Sequence, residues 1–266
     1  MNSRNFFQRI VLAAALALLT LALTACGASE EKQDGLARVK AAKEISFAMS
    51  GGYPPFNFYN ETNELVGFDV DVAREIATRL GVELKPVTTE WSGIIEGLRA
   101  GAYDGILGSM AATDERRKVV DFSIPYYYSG AQLLARSDAP YQAATDLKGK
   151  IVGLVTGTTF ENDAKQLGAG DIRLYKDDNQ TLLELNSGVV DAIITDRVVG
   201  VNAMNSGKFD IKLVGAPLRG EDIAVAFRQG DDSLRQAVDA HLQAMREDGT
   251  LTKLSLKWLN VDVTVK

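Results

Sequence analysis

Between residues 69 and 80 the apolar positions are Val72, Ala73, Ile76, Ala77 and Leu80. That i, i+1, i+4, i+5, i+8 rhythm predicts an amphipathic helix with one buried stripe, and Gly81 follows as its stop. Residues 82–87 then read as a strand, 92–100 as a helix and 103–107 as a buried strand. Upstream, 45–49 is a short apolar strand closed by Ser50-Gly51-Gly52 and Pro54-Pro55. Strands and helices alternating at these lengths predict α/β layers around a largely parallel sheet.

The pattern returns further along. Leu98-x-x-Gly101-x-x-Asp104-Gly105-Ile106-Leu107 matches Leu185-x-x-Gly188-x-x-Asp191-Ala192-Ile193-Ile194 at an offset of 87 residues, and the same offset carries Leu80-Gly81 onto Leu167-Gly168. Two related halves follow from that fixed spacing. A boundary is expected near Pro125-Tyr126-Tyr127-Tyr128-Ser129-Gly130. Past it, 131–135 is a strand and 151–155 opens the second α/β unit. Segments 211–214 and 223–227, on either side of Ala216-Pro217, read as the way back, and a terminal helix over 233–247 should pack on the first half. The expected organisation is lobe 1 from 36–128 with 219–266, and lobe 2 from 129–218. Two crossover segments would make a hinge beside a cleft.

Composition narrows the chemistry. The 266 residues are 46% hydrophobic and 24% charged, as in an ordinary globular protein. One histidine, His241, and one cysteine, Cys26, leave no His/Cys metal cluster, no intrachain disulfide and little prospect of a histidine triad. No metal or cofactor is expected. The net charge of −6 argues against a nucleic-acid partner.

The first residues look like an address. Arg4 and Arg9 precede an apolar run over 10–23, which ends in Leu23-Thr24-Ala25-Cys26. That ending resembles the lipobox of bacterial lipoproteins, which implies a signal peptide over 1–25, a lipid on Cys26 and an extracytoplasmic, membrane-tethered protein. A plain signal peptide with a coincidental cysteine is the alternative. Cleavage removes two of the 29 basic residues and none of the 35 acids, taking the net charge to −8. Residues 26–35 are small, polar and charged, and read as a tether.

Candidate binding chemistry gathers at the ends of the buried strands, where open α/β sheets hold ligands. The internal offset pairs Ser109 with Asp196, each just past such a strand. Asp196 suits a ligand cation, or it caps the helix that starts at Arg197. Thr113 is placed to cap a short helix that turns Arg116 back toward the strand ends. Arginine can hold a carboxylate bidentately there, or stand in solvent beside Arg117 and Lys118. The Thr156-Gly157-Thr158-Thr159 loop joins a strand to a helix, and unpaired amides at such a start attract anions. Tyr53 and Trp91 lie in adjoining loops and could wall a ligand, whereas Phe56, Phe58 and Trp258 read as core and His241 as a surface or satisfied core histidine.

Gly67-Phe68-Asp69-Val70-Asp71-Val72-Ala73 resembles the signature of bacterial family 3 solute-binding proteins, the polar amino-acid receptors of ABC importers. Tyr53-Pro54-Pro55-Phe56, Thr113-Asp114-Glu115-Arg116, Asp121-Phe122-Ser123, Gly157-Thr158-Thr159 and Thr195-Asp196 resemble further landmarks of that family, in order. The resemblance implies a two-lobed type II periplasmic-binding fold that closes on its ligand and is read by a membrane permease. It also implies that Arg116 holds an α-carboxylate, helped by main-chain N–H groups near Ala111 and Thr158. Asp196 and the Ser109 carbonyl would hold the α-ammonium, with Tyr53 and Trp91 around the side chain. Ala111 replaces a hydroxyl common in similar proteins. Ser50 and Val155 stand where some of them carry an acid and a lysine. A pocket of Tyr53, Trp91, Ser50 and Val155 has no charge for a ligand side chain, so a neutral side chain is expected. A monomer is expected.

Two other readings stand beside the receptor. Some similar proteins resemble cyclohexadienyl dehydratases, which need an acid in the pocket; Phe160 stands about where theirs falls, with Glu161 adjacent. The third is the periplasmic sensor module of a signalling system.

Overall fold

The computed structural model describes residues 34–266, so the expected signal peptide, Cys26 and most of the tether lie outside the described residues. Gly35, read above as the last tether residue, instead opens helix α1 (Gly35–Ala42) and is buried. Strand β1 (Glu44–Met49) leads into a small antiparallel sheet of β2 (Gly52–Tyr53), β3 (Asn57–Tyr59) and β4 (Leu65–Val66). Helix α2 (Phe68–Leu80) buries Val72, Ala73, Ile76, Ala77 and Leu80, the stripe its spacing predicts. Strand β5 (Glu83–Thr88) and a 3-10 turn over Trp91–Gly93 come next, then α3 (Ile94–Arg99) and β6 (Gly105–Ile106).

Helix α4 (Asp114–Arg117) precedes the long strand β7 (Asp121–Arg136). The next unit holds β8 (Ile151–Val155), α5 (Phe160–Gln166), β9 (Asp171–Tyr175), α6 (Asp178–Asn186), β10 (Ala192–Asp196) and α7 (Arg197–Asn205). A second long strand, β11 (Ile211–Phe227), returns to helices α8 (Asp232–Glu247) and α9 (Thr250–Leu259). No helix among the described residues is long and apolar enough to cross a membrane.

Eight strands form the main sheet in the order β5-β1-β6-β11-β7-β10-β8-β9. The parallel pairs are β5-β1-β6 at one end and β10-β8-β9 at the other. Strands β7 and β11, antiparallel to each other and to their outer neighbours, join the two ends. The expected boundary at 125–130 is therefore no break in the strand. Pro125 and Pro217 are accommodated because each falls where the β7–β11 register shifts, and an irregularity of that kind tolerates a residue without an N–H. Helix α8 buries Leu234, Val238, Leu242 and Met245 against Ile45, Phe47 and Val72, so the chain does return to the first end.

The internal repeat has a physical basis. Gly101 and Gly188 take the same left-handed conformation, φ 78° and 77°, and each lets a helix turn directly into a buried strand. The aspartate three residues on does the same work in each copy. Asp104 Oδ2 accepts the Ser46 amide of β1 at 2.8 Å, and Asp191 Oδ2 accepts the Ile151 amide of β8 at 2.9 Å. Both tie the residue that precedes one strand to the opening residues of its parallel neighbour. Strand β6 is shorter than the expected 103–107.

Candidate functional site

All nine ligand-site residues named from the sequence line one cavity. Ser50, Tyr53, Trp91, Ser109, Ala111 and Arg116 come from the first end of the sheet, and Val155, Thr158 and Asp196 from the second. The two ends touch around it. Lys176 Nζ lies 3.0 Å from Glu90 Oε1, and Arg116 Nη2 donates to the Gly157 carbonyl at 3.4 Å.

Arg116 is aimed by its helix. Thr113 Oγ1 accepts the Arg116 amide at 3.2 Å, the cap that the sequence suggests, and this fixes where the side chain leaves α4. The guanidinium donates to the Ala111 carbonyl at 3.0 Å and lies 5.6 Å from the centre of the Trp91 ring. It has no carboxylate partner among the described residues. Burial pulls its pKa below the ordinary arginine value, Arg219 pulls it the same way, and Glu221 opposes both.

Asp196 combines both readings offered for it. As the cap of α7 its Oδ1 accepts the Val198 amide at 2.7 Å, and the same oxygen accepts the Ser129 hydroxyl at 2.8 Å. Its Oδ2 makes no hydrogen bond among the described residues, and the side chain lines the cavity. Burial pushes the carboxyl up to about 7, with Glu221 and Asp178 adding to the rise and the two hydrogen bonds opposing it.

Ser109 is held in a conformation unusual for a side-chain-bearing residue, φ 61°. Its Oγ donates to Asp69 Oδ2 at 2.9 Å, and its amide donates to the Tyr126 hydroxyl at 3.0 Å. Tyr126 in turn donates to Asp69 Oδ1 at 2.7 Å, and Asn57 Nδ2 to Asp69 Oδ2 at 2.7 Å. Asp69, part of the motif over 67–73, is thus a buried anchor behind the cavity wall. Burial raises its carboxyl to about 6 against those three hydrogen bonds. Ser50 joins the same chain through Asn57, at 3.1 Å.

The loop at Thr156-Gly157-Thr158-Thr159 differs from the expected row of free amides. Glu161 Oε1 accepts the Gly157 amide at 2.8 Å, and the Thr158 amide reaches the Val155 carbonyl at 3.3 Å. The glutamate in the first turn of α5 has taken the place of an external anion. Phe160 lines the cavity, whereas Glu161 is engaged on that loop. Phe56 is fully buried, Phe58 packs edge-on to Trp258, and Trp258 Nε1 donates to Asp71, so these aromatics serve packing. His241 is half-buried on α8, outside the cavity lining.

The expectation of an uncharged pocket is not met. Lys176, Asp177, Asp178 and Glu221 also line the cavity. Asp178 accepts the Thr195 hydroxyl at 2.5 Å, and burial pushes its carboxyl up to about 7, with Asp177 adding to the rise. Glu221 is tied to Arg219 and to Thr159, each at 2.7 Å. Tyr53 lines the cavity together with Asp196, Asp178 and Glu221. Burial and these three acids raise its pKa well above the usual value, which keeps it protonated. Asp177 and Asp178 follow the carboxyl end of β9, so the strand-end rule that found Asp196 could have found them. Glu221 lies within β11, where no local pattern marks it.

With this geometry in place, the chain was compared with known proteins. The family of bacterial extracellular solute-binding proteins, family 3, matches residues 45–261. The L-cystine-binding protein TcyJ of Escherichia coli (strain K12) is 35% identical over 232 residues, covering 86% of this chain and 87% of that protein. Among solved structures, a variant of ArgBP from T. maritima has a TM-score of 0.81 and 31% identity, covering 85% of this chain and 100% of that one. AncCDT-1, an ancestral amino acid-binding protein and precursor of cyclohexadienyl dehydratase, has a TM-score of 0.80 and 33% identity, covering 84% and 99%.

Proposed function

Because the chain belongs to the bacterial extracellular solute-binding proteins, family 3, we propose that it is an extracytoplasmic receptor that closes on an amino acid and presents it to the permease of an ABC importer. The observation that carries this reading is the opposition of Arg116 and Asp196 across one cavity. The first is a half-buried cation without a carboxylate partner among the described residues, and the second a buried acid whose Oδ2 makes no hydrogen bond among them. An α-carboxylate and an α-ammonium complement them. Tyr53 and Trp91 would enclose the side chain, the Ser109 carbonyl would take part of the ammonium, and Ala111 would offer its main-chain N–H to the carboxylate, whereas the Thr158 amide is engaged on the Val155 carbonyl. Ser50 and Val155 complete the wall.

Lobes over 36–128 with 219–266 and over 129–218 would close by flexing β7 and β11 together. A ligand that touches both lobes only when they meet favours the closed state. Cys26 would carry the lipid that holds this monomeric receptor at the membrane. The cyclohexadienyl-dehydratase-like reading ranks second, since Phe160 faces the cavity and Glu161 is engaged on the Gly157 amide. The sensor-module reading has no observation in its favour.

Calorimetry with a panel of amino acids on wild type and Arg116→Ala tests the assignment. A buried charge left without its partner costs about 3–5 kcal/mol, so the variant should bind at least about 100-fold more weakly. Unchanged affinity would remove Arg116 from the site. Turnover of prephenate or arogenate by the wild type would replace the receptor reading with the enzyme.

A further inference from the structure

The cavity carries more acid than an ordinary zwitterion can neutralise. Its ionisable lining groups are Arg116, Lys176, Asp177, Asp178, Asp196 and Glu221, besides the protonated Tyr53. Lys176 is paired with Glu90 at 3.0 Å, and Glu221 shares Arg219 with Asp163, each at 2.7 Å. Asp177 caps α6, with its Oδ1 on the Gln180 amide at 2.9 Å. Arg116, Asp177, Asp178 and Asp196 are in no ion pair among the described residues, and of these three acids Asp178 and Asp196 are the buried ones.

Asp178 is 6% exposed and Asp196 2%. Each uses Oδ1 for its hydrogen bonds, to Thr195 and to Ser129 with Val198, so each keeps an Oδ2 with none. Two buried carboxylates and one half-buried guanidinium call for a ligand with one anionic and two cationic groups. An amino acid with a neutral side chain supplies only one of each. A second carboxylate on the ligand would add a negative charge to a wall that already holds Asp178, Asp196 and Glu221.

We infer that the ligand is an α-amino acid of net positive charge, with a single carboxylate and a second cationic group, an amine or a guanidinium, which the Asp178 carboxylate receives while Asp196 holds the α-ammonium and Arg116 the α-carboxylate. This rests on the reading of the cavity as an amino-acid site and names the ligand class within it. Asp178 opens α6 immediately after the cap at Asp177, and Thr195, its hydroxyl donor, directly precedes Asp196 on β10. The two acids are therefore held by adjoining parts of one wall. The titratable groups facing Asp178 are Asp177 on its own element, Asp196 on β10 and Tyr53 on β2, none of them a cation. The upward displacement of both carboxyls to about 7 fits two acids awaiting positive charge.

The test is isothermal titration at pH 7.5 of L-arginine, L-lysine, L-ornithine, L-glutamine and L-cystine into the wild type and into Asp178→Asn. At least one cationic amino acid should bind the wild type 10-fold or more tighter than glutamine and cystine. The asparagine keeps an acceptor for Thr195 but loses the charge. It should weaken cationic binding by about 10- to 100-fold while moving glutamine by less than threefold. Wild-type preference for glutamine or cystine would overturn the inference and leave the amino-acid reading intact, with no dependence on how the variant folds. Equal losses for glutamine and the cationic ligands in Asp178→Asn would also overturn it, since Asp178 would then serve the shared α-ammonium. Binding of none of the panel would overturn the amino-acid reading and this inference with it.

Discussion

Acidification from pH 8 to pH 5 should weaken binding steeply, and the slope counts the acids that the ligand engages. In the ligand-free closed form the carboxyls of Asp178 and Asp196 are both displaced to about 7 by burial, with Asp177 adding to the first and Glu221 and Asp178 to the second. A cationic group bound against a carboxylate favours its ionised form, so binding must expel whatever proton the acid holds. Each engaged acid is about half protonated at pH 7 and about nine-tenths protonated at pH 6, so two engaged acids release about one proton together at pH 7. Below pH 6 each should cost about a factor of ten in affinity per pH unit. A ligand held by Asp196 alone should lose affinity with a slope near one. A cationic amino acid held by both acids should approach a slope of two, with the protons shared across the pair in two macroscopic steps. The α-carboxylate, α-ammonium and side-chain cation of arginine or lysine do not titrate in this window, which leaves the protein as the source. Titration calorimetry at pH 7 in phosphate and in Tris reads the proton release from the difference in apparent enthalpy, and a pH series reads the slope. Affinity for a cationic ligand that is flat from pH 8 to pH 5.5 would refute the reasoning.

Two further outcomes are expected. The same displaced carboxyls should make the ligand-free protein more stable in mild acid than at neutral pH. Their folded values of about 6 to 7 lie above the unfolded ones, so the folded state holds protons that the unfolded chain has released. Stability therefore falls as pH rises from about 4 to about 7, by on the order of a few kcal/mol. Melting temperatures of ligand-free protein that rise across that window would contradict this account of Asp69, Asp178 and Asp196. At the other end of the chain, Cys26→Ser should abolish incorporation of labelled palmitate and release the protein from the membrane fraction; retained label would rule out Cys26 as the lipid site.

Local patterns made much of the scaffold readable. The stripe from Val72 to Leu80 marks α2 because a helix brings every third or fourth side chain to one face. The matched Gly101/Asp104 and Gly188/Asp191 pairs mark two similar units because a sharp helix-to-strand turn needs both a left-handed glycine and a partner for the next strand's amide. Thr113 and Arg116 are likewise close in sequence, so the cap and the aim of the guanidinium belong to one short segment. Asp196 was legible as a residue past a buried strand, although its two oxygens had to be seen separately before capping and ligand binding ceased to compete.

The charge balance of the cavity was not open to the same kind of reading. Arg116, Asp178 and Glu221 are far apart along the chain, and no periodicity or spacing rule joins them. They share a wall because β7 and β11 run unbroken through both ends of the sheet, past Pro125 and Pro217, and bring one set of strand ends against the other. Burial then decides what each group becomes: Glu221 shares Arg219 with Asp163, while Asp178 and Asp196 are left without a cation among the described residues. Residue order alone thus specifies the elements and their local caps. Which charges go unanswered, and hence which ligand can answer them, depends on desolvation and on neighbours that exist only once the chain has folded.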